Sequence, residues 1–449
     1  MSELLDLAVR IAQRAGEGEQ LEAYVSRTRE TDVKVFEGDV ESLTVAERAG
    51  VGVRAIVGGR QGFAWAGTLD GDVVDEALAA ARDNAEFATP DEHVGVATPA
   101  DADGTAVVHL DLWRDDVVTT STDEKVGLTL ELDAATRAAD GRVRGVEQSM
   151  YSDGVVESAV ANSLGVSATT RRTMCSCASI AMAGEHDGTQ TGYGFSAGRG
   201  FADLDLGAAA TDAAMRATRL LGASQAKSQR LPVVLDPLVT RSVLALVGAA
   251  LSGESMLKGR SMFVGREGET VGAEAVTLVD DPTDPDAFGA APHDAEGVPS
   301  RRNALIVDGT LRGFLHDVYT GRRSGLGTNG SAVRGYASTP SAGARALVLS
   351  PGRLDVDALL AAAGTALYVQ SVSGLHSGTN PVSGDFSVGA EGLMVRDGAF
   401  AEPVREITIA STLPRMLLDV AEVGADLTWL PGGAAGLTLL IGEMSLSGS

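Results

Sequence analysis

Apolar positions near the start of the chain recur at helical spacing and then change to strict alternation. Leucine, isoleucine and alanine at positions 4, 5, 8, 11, 12 and 15 predict an amphipathic helix. Alternating runs separated by glycine or charged turns then predict strands over 21–27, 31–36, 40–46, 50–57 and 62–66. A second helix is predicted over about 72–87. These elements predict an N-terminal unit of helices and antiparallel sheet, residues 1–100.

A segment poor in large apolar residues follows this unit. Residues 89–104 contain Pro90 and Pro99 and many small or acidic side chains. Such composition is typical of a linker, so the first domain boundary is predicted here.

The middle of the chain starts with a helix signal and then returns to alternation. Ser121 and Glu124 have the spacing of a capping box, which predicts a helix to about Ala139. Strands are predicted over 146–151, 155–161, 166–172 and 174–183, with turns at 152–154 and 162–165. A helix over about 204–221 completes a middle α+β domain, residues 105–223, built around an antiparallel meander.

A polar linker, Ser224–Arg230, separates the middle domain from the rest of the chain. A strand over 232–235 and a helix over 238–252 follow, after which the sequence becomes rich in glycine and in strand patterns. We therefore expect a large, mostly β C-terminal domain over residues 230–449 and an α+β fold class for the whole chain.

The net charge of the chain narrows the range of possible binding partners. The 449 residues contain 36 Lys and Arg against 61 Asp and Glu, a formal net charge of -25. That balance disfavours binding to nucleic acid or to anionic membrane surfaces. No run approaches the roughly 18 apolar residues of a membrane span, and the first residues lack the basic start of a signal peptide, so a cytoplasmic protein without membrane contact is expected.

Two cysteines, Cys175 and Cys177, lie two positions apart in a predicted strand. Their side chains point to the same face, where bridging is geometrically poor, and no further cysteine or nearby histidine completes a metal site. Buried structural thiols are the favoured interpretation.

Two short motifs match known signatures in weak contexts. Gly325–Gly330 fits G-x-G-x-x-G but follows charged residues instead of a buried strand. Gly194–Gly198 fits G-x-S-x-G around Ser196, and a serine hydrolase would need His293, His316 or His376 to complete a triad. Nothing in the sequence selects one of these histidines.

Two segments of the third unit concentrate polar chemistry. The first, His293–Arg302, is dense in acidic and arginine side chains. The second, Gly374–Gly392, combines many glycines with His, Asn, Asp and Ser, which suggests a backbone that approaches another molecule closely. For His376, a structural role and a substrate contact are equally compatible with the sequence.

Four segments together resemble the PmbA/TldD family over the whole length. They are Leu251–Ser261, Asp294–Arg302 with its Glu-Gly-Val-Pro-Ser-Arg-Arg run, Asn380–Ser387 with Asn-Pro-Val-Ser-Gly-Asp-Phe-Ser, and Pro403–Ala410. The resemblance implies a heteromeric peptidase of two related subunits. The TldD type carries a zinc-binding His-Glu-x-x-x-His helix and a C-terminal cysteine ligand, and the TldE (PmbA) type carries neither.

The chain departs from the zinc-bearing type at all three ligands. Where the zinc helix is expected it has Leu244–Ala249, and the segment 428–436 near the C-terminus contains no cysteine. A zinc hydrolase needs about three protein ligands and one open position. We therefore expect no metal ligand in this chain, no cofactor of its own, and zinc in a TldD-like partner.

The resulting expectation is a TldE-like subunit that completes the chamber of a zinc peptidase acting on unfolded peptides, with a homodimer possible in isolation. The catalytic residues stay unknown. Chamber-facing or substrate-binding residues are expected among His376, Asn380, Asp385, Ser387, Arg301 and Arg302. The two arginines could bind a peptide or partner carboxylate, or form ordinary surface pairs. The alternative is a non-enzymatic binding or regulatory module, as the family's description as modulators of DNA gyrase implies.

Overall fold

The computed structural model describes residues 3–102 and 104–449. The first half of the chain forms one large sheet with helices on one face. Its elements are α1 (Glu3–Ala12), β1 (Glu19–Phe36), β2 (Asp39–Val57), β3 (Arg60–Ala66), α2 (Gly71–Phe87), α3 (Asp115–Thr119), α4 (Thr122–Ala138), β4 (Val143–Asn162), β5 (Ser167–Ala183), β6 (Gln190–Gly198) and α5 (Leu206–Thr218).

The second half contains more and shorter strands. Its elements are β7 (Gln229–Leu235), α6 (Pro237–Ala250), α7 (Gly253–Leu257), β8 (Leu278–Asp280), β9 (Asn303–Val307), β10 (Thr310–Leu311), α8 (Val318–Ser324), β11 (Ala332–Val333), β12 (Ser341–Ala342), β13 (Leu347–Leu349), α9 (Val356–Ala363), β14 (Ala366–Ser373), α10 (Leu375–Gly378), β15 (Asp385–Arg396), β16 (Ala399–Thr412), α11 (Leu413–Leu418), β17 (Val420–Val423) and β18 (Leu439–Ser447).

The N-terminal and middle units share one antiparallel sheet of order β3-β2-β1-β4-β5-β6. Strands β1 and β4 join the two units, in register from Glu22 opposite Asn162 to Val35 opposite Ser149. Odd-numbered β1 residues such as Leu21, Ala23 and Val25 pack in a buried cluster with α1 and α2. The even-numbered face is turned toward the C-terminal unit.

The strands of this sheet are longer than the sequence pattern predicts. β1, β2, β4 and β5 each replace two predicted strands, so the breaks predicted at 28–30, 47–49, 152–154 and 173 are wrong. At Asp153 the reason is tertiary: its carboxylate is buried in an ion pair with Lys125, so a residue typical of turns is accommodated inside a strand. The turn predicted at 162–165 and the capping box of Ser121 and Glu124 are confirmed.

The C-terminal unit is built on a closed sheet of order β16-β15-β14-β7-β18, in which a β16–β18 pairing completes the circuit and β17 attaches to β18. Its largest hydrophobic cluster includes Val233, Val243, Leu305, Val369 and Ile409, and so joins this sheet to α6 and to β9. The α+β class and the mostly β C-terminal unit are confirmed. The domain boundaries near 100–105 and 223–230 stay predictions.

Within the described ranges, no helix is both long enough and apolar enough to cross a membrane. Cys175 and Cys177 are unpaired and buried beneath α4 and α5, which confirms their interpretation as structural thiols.

Candidate functional site

Several hydrogen bonds hold the first turn of helix α6 in place. Pro237 occupies its first turn, and the Oδ1 of Asp236 accepts a hydrogen bond of 3.0 Å from the Leu238 N–H. The other carboxylate oxygen of Asp236 accepts from Arg216 Nη2 at 2.8 Å and from the Tyr368 hydroxyl at 2.6 Å. The position of α6 in the C-terminal unit is therefore fixed.

One face of α6 borders a cavity of about 430 Å³. Ala245, Gly248 and Ala249 line it from the helix, and Ala344 and Gly433 line it from the opposite side. Leu244 and Val247 point away and belong to the hydrophobic core. This helix face presents only methyl groups and backbone to the cavity, and Leu347 lies so close to Gly248 that a Cβ there would meet its Cδ2 at 2.8 Å.

This cavity lies where the family resemblance places the zinc helix, and its residues do not fit a zinc ion. The alanine, glycine and leucine residues that line it carry no side-chain donor atom, and the guanidinium of Arg241 has no lone pair to give a metal. The hydroxyls of Ser252 and Ser255, which also line it, hydrogen-bond to each other, and serine is not among the ligands that zinc prefers. Across residues 3–102 and 104–449, no three His, Cys, Asp or Glu side chains are grouped closely enough to hold a metal ion.

The loop that resembles the cysteine-bearing segment lies against the same cavity. Thr428 and Gly436 exchange two backbone hydrogen bonds, of 2.8 and 2.9 Å, and so close the loop. Arg241 Nη2 donates to the Pro431 carbonyl at 2.7 Å. Gly432, at φ +122°, adopts a backbone conformation that favours glycine. The segment is therefore placed close to α6, and it brings no thiolate there.

The Gly374–Gly392 segment forms an exposed surface. His376 is exposed on the single turn α10, and Asp385 and Ser387 lie on the exposed side of β15, alternating with buried Phe386 and Val388. Asn380 shapes the turn, because its Oδ1 accepts hydrogen bonds from the N–H groups of residues 382 and 383. The structure thus brings the four predicted residues onto one surface.

Arg301 and Arg302 lie elsewhere. Arg301 Nη2 donates to the Asp101 carbonyl at 3.3 Å, and its Nε is buried without a hydrogen-bond acceptor. Arg302 is about half exposed and forms a loose ion pair with Asp281 at 3.6 Å. Within the described part of the chain, neither arginine hydrogen-bonds to or ion-pairs with the Gly374–Gly392 segment. Their roles stay predictions.

A buried ion-pair network that the sequence did not predict fastens the large sheet to the C-terminal unit. Arg54 on β2 donates to Glu22 on β1 at 2.8 and 3.0 Å and to Glu296 at 2.9 Å. Arg334 forms a second ion pair with Glu22. Glu296 also accepts from the Val318 N–H at the start of α8, at 2.8 Å. All four charged side chains are almost completely buried.

The pKa values of the two glutamates in this network are shifted in opposite directions. Burial raises the pKa of Glu296 to about 8, and the effect of Arg54 only partly opposes that shift. Burial acts in the same direction on Glu22, but Arg54 and Arg334 outweigh it and lower the pKa of Glu22 below its usual range. The alternation along β1 and β2 predicts that the side chains of Glu22 and Arg54 are exposed. No signal in the neighbouring sequence indicates that the C-terminal unit covers them.

The alternative motifs lack the geometry their chemistry needs. Ser196 lies inside β6, and its Oγ accepts a hydrogen bond of 2.9 Å from the Asp205 N–H, so it is not on a strand-to-helix elbow. Gly325 terminates α8, and no helix begins in the residues of its glycine motif.

Family models match almost the whole chain. The C-terminal domain of PmbA/TldA metallopeptidases matches residues 228–448, the central domain matches 115–221, and domain 1 matches 21–85. Metalloprotease PmbA of Escherichia coli O157:H7 is 26% identical over 455 residues, covering 100% of this chain and 96% of the relative.

Two solved structures share the fold. TldE from Thermococcus kodakarensis superposes with a TM-score of 0.87 at 21% identity, over 99% of both chains. A candidate modulator of a DNA gyrase from Thermotoga maritima superposes with a TM-score of 0.89 at 23% identity, over 98% of this chain and 99% of the other. Together with the three matched domains, this agreement shows that the chain belongs to the PmbA/TldD family of metallopeptidase-related proteins.

Proposed function

We propose that this chain is the subunit without zinc ligands in a TldD/TldE-type metallopeptidase complex. A TldD-like sibling supplies the zinc ion, and this chain completes a chamber that admits unfolded peptides. The observation that carries the proposal is the α6 cavity, because Ala245, Gly248 and Ala249 stand where a zinc-bearing sibling is expected to present its ligands.

Two further findings support this assignment. The chain matches the models of all three domains of the family, so it is not a single isolated domain. The fold agrees with a protein named TldE over nearly its entire length. A chain that retains the scaffold without the metal ligands suits a role in enclosing or positioning the substrate.

Enclosure would favour extended peptides over folded proteins. An extended peptide can bind by adding to the free edge of a sheet, where the main chain supplies most hydrogen bonds and sequence tolerance follows. Residues 39–50 of β2 pair only with β1 in the described structure, because β3 pairs with β2 only over residues 51–57. This part of β2 is a candidate edge for such pairing.

The decisive experiment is cleavage of a labelled unstructured peptide by this chain alone, by the zinc-bearing sibling alone, and by their mixture. Cleavage is expected in the mixture and is expected to stop when a chelator removes zinc. A sibling with its zinc ligands replaced is the matched control. Cleavage by this chain alone that survives the chelator would overturn the proposal.

A second candidate is a binding or regulatory module without a peptidase role. The name of the Thermotoga maritima structure favours a regulatory partner, and the net charge of -25 favours contact with a protein over contact with DNA. Stable assembly with the sibling without cleavage of any unstructured peptide would support this second candidate.

A further inference from the structure

A cavity of about 440 Å³ lies between the large sheet and the C-terminal unit; we call it the interdomain cavity. Its sheet wall consists mainly of even-numbered residues of β1, β4 and β5, which include Tyr24, Val156 and Arg172. Its other wall includes His293, Arg334, Arg345 and Gly433. Gly432 and Gly433 are exposed, so the cavity reaches solvent on that side.

Positively charged groups without acceptors converge on this cavity. The Arg334 side chain is fully buried, and only its Nη1 has an acceptor, on Glu22; its Nε and Nη2 have none. Arg345 Nε also lacks an acceptor. The Nδ1 of His293 has no partner either, but burial lowers the pKa of this imidazole, so it adds a polar atom and not a positive charge. The side chain of Arg172, which is partly exposed, forms no hydrogen bond or ion pair with any residue in the described part of the chain.

Buried N–H donors without acceptors are costly, and most such groups in native proteins have a partner. Burial lowers the pKa of the fully buried Arg334 and also that of Arg172, which is partly exposed. An oxyanion in the cavity would supply acceptors to several of these donors at once.

The acidic groups near the cavity do not fill this role. The carboxylate of Asp294 is occupied by the N–H groups of Glu296, Val298 and Ala332, at 2.9, 3.0 and 3.0 Å. Glu22 is shared between Arg54 and Arg334. Glu30, on the sheet wall, accepts from Arg48 at 3.1 Å. These carboxylates therefore leave the Nε and Nη2 of Arg334 and the Nε of Arg345 without acceptors.

The remaining lining of the cavity is largely apolar and includes Val156, Val160, Met174, Phe288 and Val333. A ligand suited to both surfaces has a carboxylate joined to an apolar group, and the volume is within the usual range for small-ligand pockets. We propose that the interdomain cavity binds the C-terminal carboxylate and last side chain of a peptide. The choice of a peptide as the source of the carboxylate rests on the proposed function. The inference that the cavity binds an anion is independent of that function, because it rests on the unpaired donors.

The test uses this chain alone, without sibling or zinc, so that its outcome is independent of cleavage. Calorimetry compares acetyl-alanyl-leucine with a free carboxylate, the same dipeptide as its carboxamide, and inorganic phosphate. The free acid is expected to bind at least about tenfold more tightly than either of the other two, because only it combines charge-assisted hydrogen bonds with apolar contact.

Arg172 is the residue to replace, because removing Arg334 would also leave the buried Glu22 short of a partner. Arg172→Gln is expected to weaken binding of the free acid at least about tenfold while leaving the carboxamide unchanged. Arg172→Lys keeps the charge without the planar pair of donors and is expected to give an intermediate affinity. Arg171→Gln is the matched control, because Arg171 is exposed and stacks over Trp113 at 5.0 Å.

Three results would overturn the proposal: equal binding of acid and carboxamide, binding of neither, or phosphate binding as tight as that of the free acid. If the acid binds selectively but the mixed subunits cleave no peptide, the proposed function fails and the cavity assignment stands. If the mixed subunits cleave peptides but the free acid binds no more tightly than the carboxamide, the cavity assignment fails and the proposed function stands.

Discussion

Lys125 on α4 and Asp153 in the middle of β4 form a buried ion pair, with Nζ 2.6 Å from Oδ2. The same carboxylate oxygen accepts from the Tyr151 hydroxyl at 2.8 Å, and Lys125 also donates to the Val117 carbonyl at 3.2 Å. Both charged groups are therefore satisfied, and the pair fastens a helix to the centre of the large sheet.

Breaking this pair is expected to destabilise the protein strongly. Lys125→Met leaves the buried Asp153 carboxylate without its cation, which typically costs about 3–5 kcal/mol of the free energy of unfolding. Lys258→Met is the matched control, because Lys258 pairs with Glu254 on the surface, where such a pair contributes about 0–1 kcal/mol. Urea unfolding followed by circular dichroism measures both. Similar small losses in the two variants would contradict this role.

Glu22 is expected to be the most sensitive position of the interdomain network. Glu22→Gln removes the carboxylate shared by Arg54 and Arg334 and is expected to lower the free energy of unfolding by about 3–5 kcal/mol. Glu30→Gln, on the same strand and face, removes only a partly exposed pair and is expected to cost about 0–1 kcal/mol.

Acid should reduce the difference between the wild type and Glu22→Gln. The pKa of Glu22 is lowered in the folded protein, so its stabilisation is present above the ordinary pKa of 4.5 and is lost as the pH falls through the folded value. Unfolding curves recorded from pH 7 downward measure this convergence. A difference that stays constant to the lowest pH would show that ionised Glu22 is not its source.

The two cysteines are expected to resist alkylation in the native protein. Burial raises the pKa of Cys175 to about 12 and that of Cys177 to about 11, so neither forms a thiolate at pH 8. Iodoacetamide should label both only after denaturation, as mass spectrometry would show. Because the unfolded thiols ionise near 9.0, the free energy of unfolding should also fall as the pH rises above that value. Rapid labelling of the native chain would contradict their burial.

Arg301 and Arg302 provide a test of the predicted carboxylate contacts. Replacing both with alanine is expected to weaken subunit assembly or peptide cleavage by the mixture, because each has donors that the chain itself satisfies poorly. Arg312→Ala, at an exposed position in the same unit, is the control. If assembly and cleavage are both unchanged, the two arginines are ordinary surface residues.

Substitutions in the Gly374–Gly392 surface can distinguish a residue that contacts substrate from one that stabilises the structure. His376→Ala is expected to leave the unfolding curve unchanged, because the side chain is exposed, and to reduce cleavage by the mixture. Asn380→Ala is expected to affect both, since it removes the acceptor for two N–H groups of the turn. Unchanged cleavage by the His376 variant would remove that residue from the chamber.

Local patterns were sufficient for much of the secondary structure. The capping box at Ser121 and Glu124 depends on neighbouring residues alone and is present as predicted. The turn at 162–165 is also present, and its local signal is Asn162, whose Oδ1 accepts from the N–H groups of Leu164 and Val166. The lack of zinc ligands at Leu244–Ala249 is likewise a matter of residue identity, which no fold can change.

Contacts between distant segments determined the rest. Asp153 signals a turn by itself, and only its pairing with Lys125 explains a continuous β4. Glu22 and Arg54 alternate as exposed residues would, but the C-terminal unit buries them and supplies Glu296 and Arg334. The cavity that gathers Arg172, Arg334 and Arg345 has the same origin. The sequence determines which groups are available, and burial by distant segments decides which of them need a partner, because the free-energy cost of an unpaired charge depends on its removal from water.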